Sequence, residues 1–320
     1  SKSKHDVDTP IYGGEAYDRD IYQWSTLEEL HGGGHGHGHG PDKTDPEYLK
    51  SEWPVHKEKN FYKDRTETPV VVGRPETFYD DYKWEMGIDL NRCNGCGACT
   101  VACYSENNLN VVGKDQVQKG RIMSWLRINR YITFHNEEDQ VETKVHFMPL
   151  GCQQCASAPC ETVCPSLATY HTKEGLNAMV YNRCVGTRYC ANNCSYKARR
   201  FNWFDSMFAE DQAWQLNPEV SVRSRGVMEK CTFCIQRINT AKTTARNEER
   251  KVRDGEFQTA CQQACPADAI VFGNASDPES KISKLAKDHR GYKALDHHLQ
   301  TKPGVTYLKK IDISGNGHHG

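Results

Sequence analysis

Fifteen cysteines fall into four groups between residues 93 and 265. The first is Cys93-x2-Cys96-x2-Cys99-x3-Cys103. The second is Cys152-x2-Cys155-x4-Cys160-x3-Cys164, followed by Pro165. The third is Cys184-x5-Cys190-x3-Cys194, with Thr187 where a second cysteine would fall. The fourth opens as Cys231-x2-Cys234, runs through a long insertion, and closes as Cys261-x3-Cys265 followed by Pro266. An odd number of cysteines excludes a fully paired disulfide framework, and cysteines this close in sequence staple no useful loop. Their chemistry is metal ligation by thiolates.

The spacing selects the metal. C-x2-C-x2-C-x3-C is the bacterial ferredoxin run, and the second and fourth groups carry its trailing proline. Thiolates at i, i+3 and i+6 on a tight loop reach three corners of one iron–sulfur cubane, while the cysteine after x3 starts a helix that points to a neighbouring cluster. Gly95 and Gly97 suit such a loop. Structural zinc takes two separated pairs of ligands, which the single tight run from Cys93 to Cys103 does not match. Four full cubanes need one cysteine more than the 15 present, and the gap falls at Thr187. A cubane lacking one thiolate exists readily as [3Fe–4S]. The count therefore predicts three [4Fe–4S] clusters and one [3Fe–4S] cluster; the other reading is a fourth [4Fe–4S] cluster completed by Thr187 or water. Arg183, Arg188, Lys197, Arg199 and Arg200 crowd the third group without an acid between them. Positive charge there either raises the [3Fe–4S] potential or forms a docking patch.

The elements that must position these loops are short. Met86–Leu90 reads as a strand entering the first group, and NAMVYNRC (177–184) repeats that arrangement before the third. HFMPLGC (146–152) and DAIVFGN (268–274) are further strand candidates. SKISKLAKDH (280–289) and the stretch 229–251 carry helix signals. Short strands, short helices and cysteine loops in repetition predict a duplicated α+β unit over 83–275. Residues 1–82 contain no cysteine and form an extended arm with the tract HGGGHGHGHG (31–40). That tract reads as a solvated loop, with metal capture by His31, His35, His37 and His39 the sharper alternative. Residues 276–320 read as a polar C-terminal tail packing on partners.

Composition closes off other classes. The net charge of −1 gives no pull toward nucleic acid. Mean hydropathy is −0.78, and no run approaches the about 18 apolar residues of a membrane span. There is no apolar export-signal core, Ser/His/Asp triad, P-loop or dinucleotide fingerprint. No catalytic residue is assigned, and the expected role is electron transfer.

From Trp84 to about residue 311 the chain resembles the four-cluster ferredoxin-type subunits of membrane-anchored molybdopterin-type oxidoreductases, a group including polysulfide, dimethyl sulfoxide and nitrate reductases. The resemblance rests on GIDLNRCNGCGACTVACYSENN, VVGKDQVQKGR, GLNAMVYNRCVGTRYCANNCSYKARRFNW, MEKCTFCIQRI and ACQQACPADAIVFGN. Within that group it is similar to the iron–sulfur domain of the B subunit of alternative complex III, a quinol-oxidising respiratory complex. One departure is Ser195, where the family often has proline after the last cysteine of the third group.

The resemblance implies tandem, pseudo-twofold ferredoxin-like modules with nested pairing of the groups, although spacing alone equally allows sequential pairing. In the nested scheme one [4Fe–4S] cluster takes Cys93, Cys96, Cys99 and Cys265. A second takes Cys231, Cys234, Cys261 and Cys103, and a third Cys152, Cys155, Cys160 and Cys194. The [3Fe–4S] cluster takes Cys184, Cys190 and Cys164. It further implies an integral membrane quinol-binding partner, a molybdopterin-like large subunit or domain and multihaem cytochrome c subunits. The expected location is the periplasmic face of the bacterial cytoplasmic membrane, with no transmembrane segment in this chain. Electrons would enter from quinol beside Cys184 and Cys190. The alternative is the electron-transfer subunit of a molybdenum reductase; a soluble polyferredoxin or a zinc-stabilised interaction module accounts for less of the chain.

Overall fold

A computed structural model describes residues 22–26, 79, 81–137, 140–205 and 211–312. The His/Gly tract with its four histidines, and most of the expected arm, lie outside these residues. Strand β1 (Trp24–Thr26) precedes β2 (Trp84–Asp89), which leads into helix α1 (Ala98–Glu106). Helix α2 (Gly113–Gln118) is followed by the long strands β3 (Arg127–Glu137) and β4 (Gln140–Leu150). Then come α3 (Pro159–Thr162), β5 (Thr169–His171), β6 (Asn177–Met179) and α4 (Tyr189–Asn192). Short β7 (Arg200–Phe201) and β8 (Met228–Glu229) lead to α5 (Ile235–Asn247), α6 (Ala260–Gln263) and β9 (Ile270–Asn274). The described chain closes with α7 (Lys281–Ala286), β10 (Gly291–Tyr292), α8 (Asp296–Leu299), β11 (Val305–Leu308) and β12 (Lys310–Asp312).

The architecture is mixed α+β, and its strand pairing explains why the chain folds back on itself. A four-stranded sheet has the order β10-β11-β2-β9. In it β2 runs antiparallel to β9 and parallel to β11. A second antiparallel pair joins β5 to β6. Strand β2 precedes the first cysteine group and β9 follows the fourth; β6 precedes the third group and β5 follows the second. Helix α1 packs on α6, and α3 packs on α4. Two equivalent units result, each a strand pair with two cysteine-bearing helices at its end.

The core lies where the sheet meets the cysteine loops. Tyr82 stacks on Trp84 at 5.0 Å and Trp84 on Phe272 at 5.6 Å, while Phe233, inside the fourth cysteine group, meets Phe272 edge-on at 5.3 Å. Such aromatic pairs contribute about 0.5–1.5 kcal/mol each beyond area burial. They tie the Cys231/Cys234 loop to β9.

Several elements differ from the sequence reading. Residues 276–312, expected as a polar tail, supply α7, β10, α8, β11 and β12. Strand β11 sits inside the sheet, and Ile282, Ala294 and Tyr307 in this stretch are fully buried. Its buried apolar residues come singly or in pairs, as at Ala294-Leu295 and Tyr307-Leu308, so no long apolar run marks them. Strand β4 begins well before the HFMPL segment, at Gln140, because it pairs with β3 along all 11 residues of each strand. The helix expected from 229 begins at Ile235, since Phe233 and Cys234 take left-handed backbone angles and Glu229 pairs with Arg200 in the β7–β8 ladder.

Candidate metal-cluster sites

The first and third cysteine groups have the same loop. In the first, Gly95 and Gly97 have φ of +72° and +81°, and α1 then carries Cys99 and Cys103. In the third, Gly186 and Arg188 have φ of +74° and +63°, and α4 then carries Cys190. Thr187 therefore occupies the position of Cys96, and both residues are exposed. A non-glycine residue is uncommon in the left-handed region. Arg188 is anchored there, its guanidinium lying 5.1 Å from the Phe201 ring and 4.9 Å from that of Trp203. At Gly186 a Cβ would come within 2.4 Å of the Gly226 carbonyl oxygen, so the loop also needs glycine for close approach.

The second and fourth groups match in the same way. After Cys164-Pro165, Leu167 turns with φ +49° and the Ala168 N–H donates to Cys164 Sγ at 3.3 Å. After Cys265-Pro266, Asp268 turns with φ +46° and the Ala269 N–H donates to Cys265 Sγ at 3.3 Å. Proline ends each short helix, and the left-handed residue aims the following N–H back at the sulfur.

All 15 cysteines are free thiols. Strand pairing places the first group beside the fourth and the second beside the third. Burial pushes Cys99 up to about 11, and the neighbouring Cys93 and Cys265 add to it. Burial likewise holds Cys103 well above the ordinary thiol value, reinforced by Cys231, Cys261 and Cys234. Cys155 is held high by burial and then by Cys152, Cys160 and Cys194. Cys190 is raised by burial, opposed by Arg199 and reinforced by Cys184 and Cys164. Cys164 moves down instead. Burial raises it, but the Ser166 hydroxyl and the N–H groups of Thr169, Ala168 and Ser166 together outweigh that effect. Consecutive neighbourhoods also sense each other's charge. Cys261 feels Cys99, and Cys231 feels Cys152.

Two cavities open onto these sulfurs. Cys103, Cys152, Cys231, Cys234 and Cys261 line one. Cys164, Cys184, Cys190 and Thr187 line the other. Among the described residues no three or more Cys, His, Asp or Glu side chains meet the spacing of a single-ion site. The residues present fit iron–sulfur clusters through their donor set: sulfur groups around shared cavities, with N–H groups aimed at the sulfurs. The Met228 N–H donates to Cys184 Sγ at 3.3 Å and the Phe233 N–H to Cys231 Sγ at 3.5 Å. Such bonds stabilise thiolate charge and tune cluster potentials.

The five basic residues near the third group lie in different environments. Arg183 and Lys197 are exposed, Arg188 lies on aromatic rings, and half-buried Arg200 donates to the Ser124 carbonyl at 2.8 Å. Arg199 is buried and donates to Cys160 Sγ at 3.1 Å. Sequence reasoning missed Lys230, which is fully buried, with its Nζ donating to the Cys231 carbonyl at 2.9 Å. Its position next to Cys231 was the only available signal. It also missed the buried Arg223–Glu229 pair at 3.1 Å, which Trp125 and Asn202 complete; this pair braces β8, whose Met228 N–H reaches Cys184.

Residues 92–168 and 143–212 each match a 4Fe-4S dicluster domain. The fold is thus a tandem of ferredoxin-like 4Fe-4S dicluster domains of mixed α+β architecture. The chain is 43% identical over 232 residues to the iron–sulfur cluster-binding subunit of menaquinone reductase from Nitratidesulfovibrio vulgaris, covering 71% of this chain and 89% of that protein. It is 33% identical to iron–sulfur subunit 1 of the Hdr-like menaquinol oxidoreductase from Archaeoglobus fulgidus, over 74% of this chain and 87% of that one. It is 30% identical to the arsenate respiratory reductase iron–sulfur subunit of Shewanella sp. strain ANA-3, over 71% and 97%. The chain belongs to this family: it is an electron-transfer iron–sulfur subunit of a respiratory oxidoreductase complex. Among the described residues no helix is long and apolar enough to cross a membrane.

Proposed function

We propose that the chain relays single electrons between a quinone-reactive membrane partner and a molybdopterin-type catalytic partner, through three [4Fe–4S] clusters and one [3Fe–4S] cluster. The cysteines that would hold them are Cys93, Cys96, Cys99 and Cys265; Cys103, Cys231, Cys234 and Cys261; Cys152, Cys155, Cys160 and Cys194; and, for [3Fe–4S], Cys164, Cys184 and Cys190. Bound clusters supply the one-electron carriers. The chain's own residues hold the thiolates, exclude water from them and donate hydrogen bonds to their sulfurs. The observation that carries the assignment is the pairing of β2 with β9 and of β5 with β6, which brings the first group to the fourth and the second to the third. The charge of Cys99 felt at Cys261, of Cys152 at Cys231, and of Cys160 and Cys190 at Arg199 supports a linear order ending at Thr187.

That end also suits docking. Leu167, Val185 and Tyr189 are large exposed apolar residues at or beside the Thr187 cavity. The membrane partner belongs there in this reading, at the periplasmic face of the membrane. Relatives that include arsenate, selenate and tetrathionate reductase subunits favour a molybdenum reductase over an alternative complex III with cytochrome c partners. The relative from a menaquinol oxidoreductase keeps the second reading, a quinol-oxidising complex without molybdenum, in view. Purification of the native complex with metal analysis separates the two: molybdenum supports the first, and its absence with c-type haem supports the second. EPR of the air-oxidised chain should give a [3Fe–4S] signal. Only four-iron clusters by iron analysis, with no such signal, would refute the cluster count.

A further inference from the structure

Arg199 lies at the junction of two cysteine neighbourhoods. It is 5% exposed. Its Nη2 donates to Cys160 Sγ at 3.1 Å and to Asn177 Oδ1 at 2.6 Å, while Nη1 donates to Thr169 Oγ1 at 2.8 Å and approaches Met179 Sδ at 3.6 Å. None of these partners is a carboxylate, and among the described residues Arg199 makes no ion pair. An arginine keeps its proton in a protein, and burying an uncompensated ion costs several kcal/mol. The fold holds the guanidinium without a carboxylate, so its counter-charge must come from sulfur. Cys160 is bonded to it directly, and the Cys152 and Cys190 thiolates also act on its charge. On the other side, Thr169 and Met179, which Nη1 meets, line the same cavity as Cys164, Cys184 and Cys190. Cys160 and Cys190 come from different groups, on α3 and α4, which pack together.

We propose that Arg199 is a shared cationic bridge between the cluster held by Cys152, Cys155, Cys160 and Cys194 and the cluster held by Cys164, Cys184 and Cys190. One fixed charge thereby stabilises an added electron on either centre and raises both potentials together. This rests on the cluster assignment above, and it assigns the tuning to a single buried residue bonded to Cys160 on one side and to the lining of the Cys164/Cys184/Cys190 cavity on the other. Arg199 is a positioning and tuning residue and takes no electron itself. A common shift leaves the potential difference between the two successive carriers unchanged, while reduction of one lowers the charge available to the other.

The test is EPR-monitored redox titration of the full chain carrying its clusters, with iron and sulfide content measured first. In Arg199→Gln the reduced-to-oxidised ratio at a fixed potential should fall roughly tenfold for both clusters, about 59 mV downward for each one-electron couple. Arg199→Lys, which keeps the charge and one donor, should recover most of that shift on both. A shift of one cluster only, of neither, or an equal shift in both variants overturns the bridge. If Arg199→Gln does not retain iron, the unmodified chain labelled with 15N-guanidino arginine decides the matter. Pulsed EPR should then find nitrogen coupling on both clusters, and coupling on one or none overturns the proposal. Missing cluster signals in the unmodified chain would instead defeat the cluster assignment, so the two failures are distinguishable.

Discussion

Thr187→Cys puts a thiol at the position of Cys96 in an already matching loop. Gly186 and Gly95 have φ of +74° and +72°, and Arg188 and Gly97 have φ of +63° and +81°. Both pairs agree within the ordinary scatter of about 15–20° in regular backbone. Thr187 is exposed, so the new sulfur displaces no core atom, and the change in folding stability should stay within about 0.5 kcal/mol. Stability is therefore not the readout. With Cys164, Cys184 and Cys190 around the same cavity, a fourth thiolate allows a fourth iron. The expected result is one additional iron per chain, loss of the [3Fe–4S] EPR signal from the oxidised protein, and a lower potential for that centre. Iron and acid-labile sulfide analysis, paired with EPR, measures this, and Thr187→Ser serves as a control that leaves both unchanged. An unchanged iron count with the [3Fe–4S] signal intact would refute the reasoning, because the loop would then not be a ferredoxin loop lacking one ligand.

Three further outcomes follow from the geometry. Gly186→Ala combines left-handed strain with a Cβ 2.4 Å from the Gly226 oxygen, whereas Gly97→Ala meets nothing within 4 Å; the first should cost about 2–4 kcal/mol and the second about 1 kcal/mol, read as thermal midpoints, and equal losses would contradict the close-approach argument. Tyr307→Phe removes a buried hydroxyl that donates to the Pro149 carbonyl and accepts from Gln153; a loss of about 1–3 kcal/mol is expected in denaturant unfolding, and no loss would mean that water replaces it. Hydrogen bonds from Arg237, more than offsetting burial, hold the Glu106 carboxyl below its ordinary value of 4.5. A depressed folded value contributes stability that is present above the unfolded pKa and lost as pH falls through the folded one. Glu106→Gln should therefore melt below the unmodified chain at neutral pH, and the two midpoints should converge below about pH 4.5; a constant gap would remove Glu106 from the acid limb.

The sequence determined the chemistry. Cysteine spacing, the trailing Pro165 and Pro266, and the glycines at 95 and 97 are local signals, because a cluster loop is built from a few consecutive residues whose backbone angles the residue types dictate. The strands entering the first and third groups were legible for the same reason. Thr187 could be read as a missing ligand from counting alone, and the matching φ angles at 186 and 188 now give it a structural counterpart.

The tertiary structure decided what meets what. Sequence spacing permits sequential or nested grouping; antiparallel registers, β2 with β9 and β5 with β6, place the first group at the fourth and the second at the third. The C-terminal stretch reads as a polar tail because burial of Val305, Tyr307 and Leu308 in β11 depends on a parallel partner, β2, at the far end of the described core. Arg199 and its neighbour Arg200 look alike in sequence, yet Arg199 is buried and donates to Cys160 Sγ, whereas Arg200 is half-buried and donates to the Ser124 carbonyl. Charge in a sequence records only that a cation exists. Its effect depends on distance and on the water removed around it, and both are properties of the folded chain.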